Sequence, residues 1–274
     1  MIRGSVAVRF AFWNTHNSTG INQYICDLIC ENRIDFFAMS EYKDSISELL
    51  LLLQENGINY EQIETANTRI FIVCKTKYKL IMKACQQDSH YSFVNLDDSV
   101  LIGVVHLGSK MFDPYGHNRK IVLRRMMKYA REYSSMRGIP NKVLFGDFNE
   151  NPYENNILDA EIMHGLSDKT FVSKKYRKIQ NDSFEMFYNP SWNLFGDQTN
   201  PPGTYFYTAS QSIEPVWNIF DQVIISSELI DRFPNEEFCI ITSINGKPLF
   251  DVKGRPNINI SDHFPIVFEI KELI

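Results

Sequence analysis

The chain's 274 residues are 44% hydrophobic and 22% charged, enough apolar material for a substantial core without covalent staples. A net charge of −5 and a pI of about 5.7 exclude a global basic field of the kind that holds a non-specific binder on a polyanion. The sequence also lacks an apolar run long enough to span a bilayer, and no linker or low-complexity stretch divides residues 1–274, which are therefore expected to form a single domain.

The elements follow in chain order. Residues 6–13 are almost continuously apolar, β-branched and aromatic, and predict a buried strand that ends at Asn14. Ile21, Tyr24, Ile25, Leu28 and Ile29 recur at helical spacing, and residues 35–40 predict a second buried strand ending at Glu41. Ser45 and Glu48 form a capping-box pattern ahead of a leucine-rich helix that stops at Gly57. Strand, helix, strand, helix is the opening of a layered α/β architecture. Residues 69–75, 78–85, 92–96 and 100–107 then read as short adjacent antiparallel strands. Val122, Met126, Tyr129 and Tyr133 make a helical stripe closed by Gly138 and Pro140, and residues 142–145 predict a strand that delivers Gly146-Asp147-Phe148-Asn149. Residues 150–200 carry few periodic signals and are expected to be long surface loops. Strand character returns at 205–207, 221–225, 238–242 and 264–270.

Cys26, Cys30, Cys74, Cys85 and Cys239 are odd in number and sit mostly among apolar neighbours, which predicts buried free thiols in a reducing compartment. The opening Met1-Ile2-Arg3-Gly4-Ser5 has neither an apolar signal core nor a small-residue cleavage site, so a cytoplasmic location is expected.

Acids, amides and imidazoles recur where apolar runs stop: Asn14, Glu41, His106, Asp147, Asn149, Asp221, and Asp262 with His263. Each has a bland reading on its own: Asp147 as a turn former, Asn14 as a helix cap, His106 as a satisfied core histidine. Brought to one rim, they would be a chemical site. Hard divalent cations take oxygen ligands, and one or two carboxylates with an amide hold magnesium against a phosphate. Such an ion withdraws charge from phosphoryl oxygens. His263 can exchange a proton near neutrality if a carboxylate such as Asp221 fixes its tautomer.

These residues resemble the endonuclease/exonuclease/phosphatase superfamily, whose members include deoxyribonuclease I, apurinic endonucleases, neutral sphingomyelinases, inositol-polyphosphate phosphatases and deadenylases. Trp13-Asn14, Ser40-Glu41 and Val105-His106-Leu107 are similar to its strand-end motifs. Gly146-Asp147-Phe148-Asn149 with Pro152, Phe220-Asp221-Gln222-Val223-Ile224 and Ser261-Asp262-His263-Phe264-Pro265 are similar to its later signatures. The resemblance implies a four-layer α/β/β/α sandwich of two mixed, mainly antiparallel sheets flanked by helices, here forming one catalytic domain over 1–274. It implies a Mg2+-dependent phosphoesterase, with Mn2+ as a substitute, whose metal site draws on Asn14, Glu41, Asp147, Asn149 and Asp262. His106, Asp147, Asn149, Asp221 and His263 would be catalytic, with the general base left unassigned. Nucleic acid is the implied substrate; inositol phosphates or sphingolipids are the enzymatic alternative. A catalytically silent binding domain, or a subunit that needs a partner to expose its site, are readings of another class. The mark of the silent domain, loss of the Glu, the Asp-Asn pair or the terminal His, is absent.

Two positions depart from the family pattern. His16 follows Asn14 closely, and residues 67–71 offer no carboxylate to pair with His106. Arg119 and Arg124 are candidate phosphate contacts, with a solvated helix face as the alternative. Tyr176, Phe184, Phe187, Tyr188, Trp192 and Phe195 suit either base stacking or a satellite core. The sequence names no protein partner.

Overall fold

The computed structural model describes residues 7–79, 82–196, 201–208 and 216–273. Val6, Leu80 and Ile81 of the predicted strands, and residues 197–200 of the predicted loop region, lie outside the described residues.

β1 (Val8–Asn14) crosses through α1 (Asn22–Asn32) to β2 (Phe36–Ser40), which lies parallel to it. Ser45 caps α2 (Ile46–Glu55), its Oγ accepting the Glu48 N–H at 3.3 Å as the capping pattern requires. β3 (Tyr60–Gln62) and β4 (Ile70–Lys75) follow, with β4 antiparallel to both β2 and β3. β5 (Met82–Asp88), β6 (Tyr91–Leu96) and β7 (Val100–His106) form an antiparallel meander; α3 (His117–Arg137) then crosses over to β8 (Asn141–Asp147), parallel to β7. β9 (Gly165–Leu166), β10 (Phe187–Tyr188) and β11 (Asp221–Ser226) complete this second sheet, while β12 (Cys239–Ile240) and β13 (Ile266–Ile270) return to the first. The orders are β12-β13-β1-β2-β4-β3 and β5-β6-β7-β8-β11-β10-β9.

Alternation along the strands builds three apolar interlayers. Phe10 and Phe12 face the other sheet, where Phe145 meets the rings of Phe10, Phe36 and Phe268 at 5.9, 6.0 and 5.1 Å. Ala11 and Trp13 face α1 and α2. Leu123, Met126, Met127 and Ala130 of α3 cover Phe93, Leu101 and Leu144 on the outside of the second sheet. The result is the expected helix, sheet, sheet, helix order.

Several local expectations are corrected. β4 and β5 are not adjacent: β4 belongs to the first sheet and β5 to the second. Tyr78 lies in a one-turn helix, Thr76–Lys79, rather than in a strand, and β5 is described over Met82–Asp88. Residues 150–200 are not simply surface loops: β9 and β10 extend the second sheet, and Ile157, Val172, Met186 and Phe187 are fully buried. Two-residue strands are too short to leave a periodic signal. All five cysteines are free, and Cys239 is exposed rather than buried. Among the described residues no helix is long and apolar enough to cross a membrane.

Topology sets the position of the polar strand ends. The parallel pairs β1/β2 and β7/β8 put four C-terminal ends on one rim, with Asn14 opposite Ser40 and His106 opposite Asp147. Antiparallel β11 and β13 bring their N-terminal ends to the same rim, with Asp221 opposite Asp147 and Ile266 opposite Phe12.

Candidate active site

Local backbone geometry turns the rim inward. Glu41 and Asn149 both have left-handed backbone, φ 50° and 48°, at the first position past a strand or one residue beyond it. Non-glycine residues rarely accept this conformation unless their surroundings hold them there. Asn149 is held by its backbone N–H to Asp147 Oδ1 at 2.8 Å, and by its amide to Asp147 Oδ2 and the Leu107 carbonyl, both at 3.1 Å. Gly146 is required for another reason: at φ 135° a Cβ there would lie 2.1 Å from the Val105 carbonyl oxygen of the neighbouring strand.

Asp147 is 1% exposed and receives a third N–H, from Asn14 Nδ2 at 3.1 Å, which also reaches Glu41 Oε1 at 3.3 Å. Burial and then the Asp221 charge push its pKa up, against the pull of His263, His106 and the Asn149 N–H. Glu41 behaves oppositely. The His106 hydrogen bond outweighs burial and, with Asn14 and His263, holds its pKa down to about 2. Asn17 Nδ2 fixes the other Glu41 oxygen at 2.7 Å.

His263 and Asp221 form a buried dyad, Nδ1 to Oδ2 2.7 Å. A carboxylate only accepts, so Nδ1 carries a proton and Nε2 faces the cleft. Burial alone would lower the imidazole's pKa, but Asp221, with Asp262 and Asp147, pushes it up to about 10. The dyad is bolted to the end of β1: Ser261 Oγ donates to the Asn14 carbonyl at 2.6 Å and accepts the His263 N–H at 3.0 Å, while Trp13 Nε1 donates to the His263 carbonyl at 2.9 Å. Tyr205 covers the ring, centroids 4.7 Å apart.

His106 is 2% exposed, with Nε2 3.3 Å from Glu41 Oε1 and Nδ1 3.4 Å from Arg69 Nη2. A guanidinium can only donate, so Nδ1 accepts and the ring proton sits on Nε2. Asn14, Glu41, His106, Asp147, Asn149, Asp262 and His263 thus line one cleft of about 370 Å³, with Asp221 behind His263.

The two arginines singled out in the sequence are not in this cleft. Arg119 is buried, pairs with Glu150 at 2.8 Å, and ties the loop after β7 to the segment after Asn149. Arg124 is exposed on α3, 4.0 Å from Glu161. None of the six aromatics from Tyr176 to Phe195 lines it either; Phe187 and Tyr188 are core, and Trp192 and Phe195 pack with Tyr153. The cleft instead holds Arg69, Tyr205 and Phe112, which belong to none of the sequence motifs. Arg69 leaves a faint trace in the sequence, as a cation within residues 67–71, where the family pattern has a carboxylate.

No protein-family model matches this sequence, and no curated protein matches it. Solved structures do. D. rerio TDP2 complexed with a single-strand DNA product shares 12% identity, covering 96% of this chain and 98% of that one at a TM-score of 0.55. The chain has the DNase I-like fold. An AP endonuclease from Archaeoglobus fulgidus shares 11% identity over 95% of this chain and 98% of its own, TM-score 0.56. The 3' phosphatase NExo from Neisseria, bound to a DNA hairpin, shares 14% over 96% and 99%, TM-score 0.55.

The DNase I-like fold implies a divalent metal, and the residues present fit one. Asp262 Oδ1 is buried without a hydrogen bond; His16 Nδ1 lies 3.1 Å away without hydrogen-bond geometry. Glu41 keeps its charge, and the donors on this side of the cleft are hard oxygens suited to a hard cation. Asn14 turns its amide nitrogen to the two carboxylates and its Oδ1 to the His16 N–H at 3.0 Å, so in this arrangement it braces the acids. Asp147, Asp221 and His263 also lie within 4.8 Å of one another, but Asp221 is committed to the imidazole, which makes the trio a dyad beside a carboxylate.

Proposed function

We propose that this chain, acting as one catalytic domain, is a Mg2+-dependent phosphoesterase that hydrolyses phosphodiester bonds in nucleic acid, with Mn2+ as a substitute ion. The observation that carries the reading is the buried Asp221–His263 dyad, 2.7 Å across, facing Glu41, His106, Asp147 and Asn149 in a single cleft. That set supplies a metal-holding carboxylate, a water-positioning pair and a cationic imidazole where phosphoryl charge develops.

Glu41 and Asp262 would hold the ion, which when bound draws charge from the phosphoryl oxygens. Asp147, fixed on both oxygens by Asn149 and Asn14, orients the attacking water in line with the phosphorus. His263, kept protonated by Asp221, donates from Nε2 to a phosphoryl oxygen. His106 donates from Nε2 toward Glu41 and stands beside the departing oxygen. DNA as substrate is supported by the DNA described with two of the neighbouring structures and by Phe112, a cleft residue 83% exposed that offers a face to a base.

The test is hydrolysis of single- and double-stranded DNA, RNA, inositol phosphates and sphingomyelin by the wild type and by Asp147→Ala and His263→Ala proteins. Turnover of DNA that EDTA and both substitutions abolish is expected. Turnover of an inositol phosphate or sphingomyelin alone would move the substrate class, and magnesium binding with no turnover would favour a silent scaffold.

A further inference from the structure

Arg69 is the charged cleft residue that neither the strand-end pattern nor the metal fit uses. It stands one residue before β4 of the first sheet, yet its guanidinium crosses to His106 at the end of β7 in the second, at 3.4 Å. Its loop is anchored from below by Asn67, 7% exposed. Asn67 Oδ1 accepts the N–H groups of Arg69 and Ile70 at 2.8 and 3.2 Å, and its amide donates to the carbonyls of Asp88 and Tyr91 at 2.6 and 3.3 Å. The β5–β6 turn of the second sheet therefore fixes where the first sheet's arginine starts. A backbone held in this way, with the guanidinium resting on His106, has lost part of its freedom before any ligand arrives, which lowers the entropic cost of binding.

The charge on Arg69 is also uncommitted. Among the described residues no carboxylate pairs with it, whereas Arg119, Arg9 and Arg255 are each matched to acids. One donor meets the imidazole nitrogen, and the side chain lines a cleft whose other charges are the acids Glu41, Asp147 and Asp262 and the His263 imidazolium. Such a cleft repels an anion unless cations face it, and a guanidinium fork matches two non-bridging phosphate oxygens where an ammonium acts only as a point charge.

Building on the reading of the chain as a nucleic-acid phosphoesterase, we infer that Arg69 is a second phosphate-recognising cation of the cleft beside His263, gripping a substrate phosphate from the side of His106 away from Glu41. It takes the place of the carboxylate partner that residues 67–71 lack.

The test separates binding from turnover. A fluorescent single-stranded DNA oligonucleotide is titrated by anisotropy in Mg2+ with His263→Ala protein, which binds without cutting, and with the same protein also carrying Arg69→Ala or Arg69→Lys. Hydrolysis by the wild type is measured in parallel. Arg69→Ala is expected to weaken binding at least about tenfold and to lower the slope of log Kd against log salt by roughly 0.7, the loss of one phosphate contact on a single strand. Arg69→Lys keeps the slope and recovers part of the affinity, an outcome a purely structural role would not give. Equal Kd and slope with and without Arg69 overturn the inference, whether or not the wild type cuts. Arg69-dependent binding by a protein that hydrolyses nothing upholds it and removes the proposed activity instead.

Discussion

Replacing Asp221 by Asn keeps the side chain's size in a fully buried position and removes only the charge that faces His263 at 2.7 Å. The imidazole's rise from 6.5 to about 10 corresponds to roughly 5 kcal/mol of preference for the charged ring. Without the Asp221 charge, burial is opposed only by Asp262 and Asp147, and the ring's pKa falls toward the physiological range. The expected result is a fall in kcat of about 10²- to 10⁴-fold at pH 8, the span associated with losing a positioned proton donor. The pH profile should change as well. Wild-type activity holds until pH approaches about 10, whereas the variant's activity falls at a distinctly lower pH. Stability follows the same sign: a raised imidazole pKa stabilises the fold fully below its unfolded value near 6.5, and the contribution is lost as pH rises through about 10. Urea unfolding at pH 6 and pH 9.5 should therefore show a smaller drop for the variant than for the wild type. An Asp221→Asn protein with unchanged kcat and an unchanged alkaline limb would refute the dyad's role.

Gly146→Ala must move the β7 backbone, because its Cβ would stand 2.1 Å from the Val105 oxygen; a loss of at least about 2 kcal/mol in denaturant titration is expected. Phe145→Ala empties the centre of the inter-sheet core and should cost about 3–5 kcal/mol by the same measurement. Arg119→Ala strands Glu150, whose pKa burial already pushes up to about 7 despite the guanidinium. Its stability deficit, about 3–5 kcal/mol at pH 8, should shrink at pH 5 as Glu150 protonates, while Arg124→Ala leaves both stability and turnover nearly unchanged.

How far the sequence reached can be read from particular residues. Continuous apolar runs such as those ending at Asn14 and Asp147 identify buried strands, and a polar residue at each stop marks the rim, since a strand end is where a side chain can leave the core. Convergence is different: it depends on β11 and β13 running antiparallel to their neighbours, a pairing that local periodicity does not encode. β9 and β10, two residues each, are too short to show a period, so nothing local marks Phe187 and Tyr188 as core. Arg69, Tyr205 and Phe112 belong to loops and short ladders, where residue type carries no directional signal. Arg119 looked like a free helix cation because its partner, Glu150, is distant in sequence.

If Glu41 helps hold a divalent ion that serves hydrolysis in this cleft, the decisive measurement is the rate of DNA oligonucleotide hydrolysis against Mg2+ concentration for the wild type and Glu41→Gln. A saturable, EDTA-sensitive curve that Glu41→Gln shifts at least about tenfold toward higher Mg2+ is predicted. Superimposable curves, or hydrolysis that persists in EDTA, would contradict it.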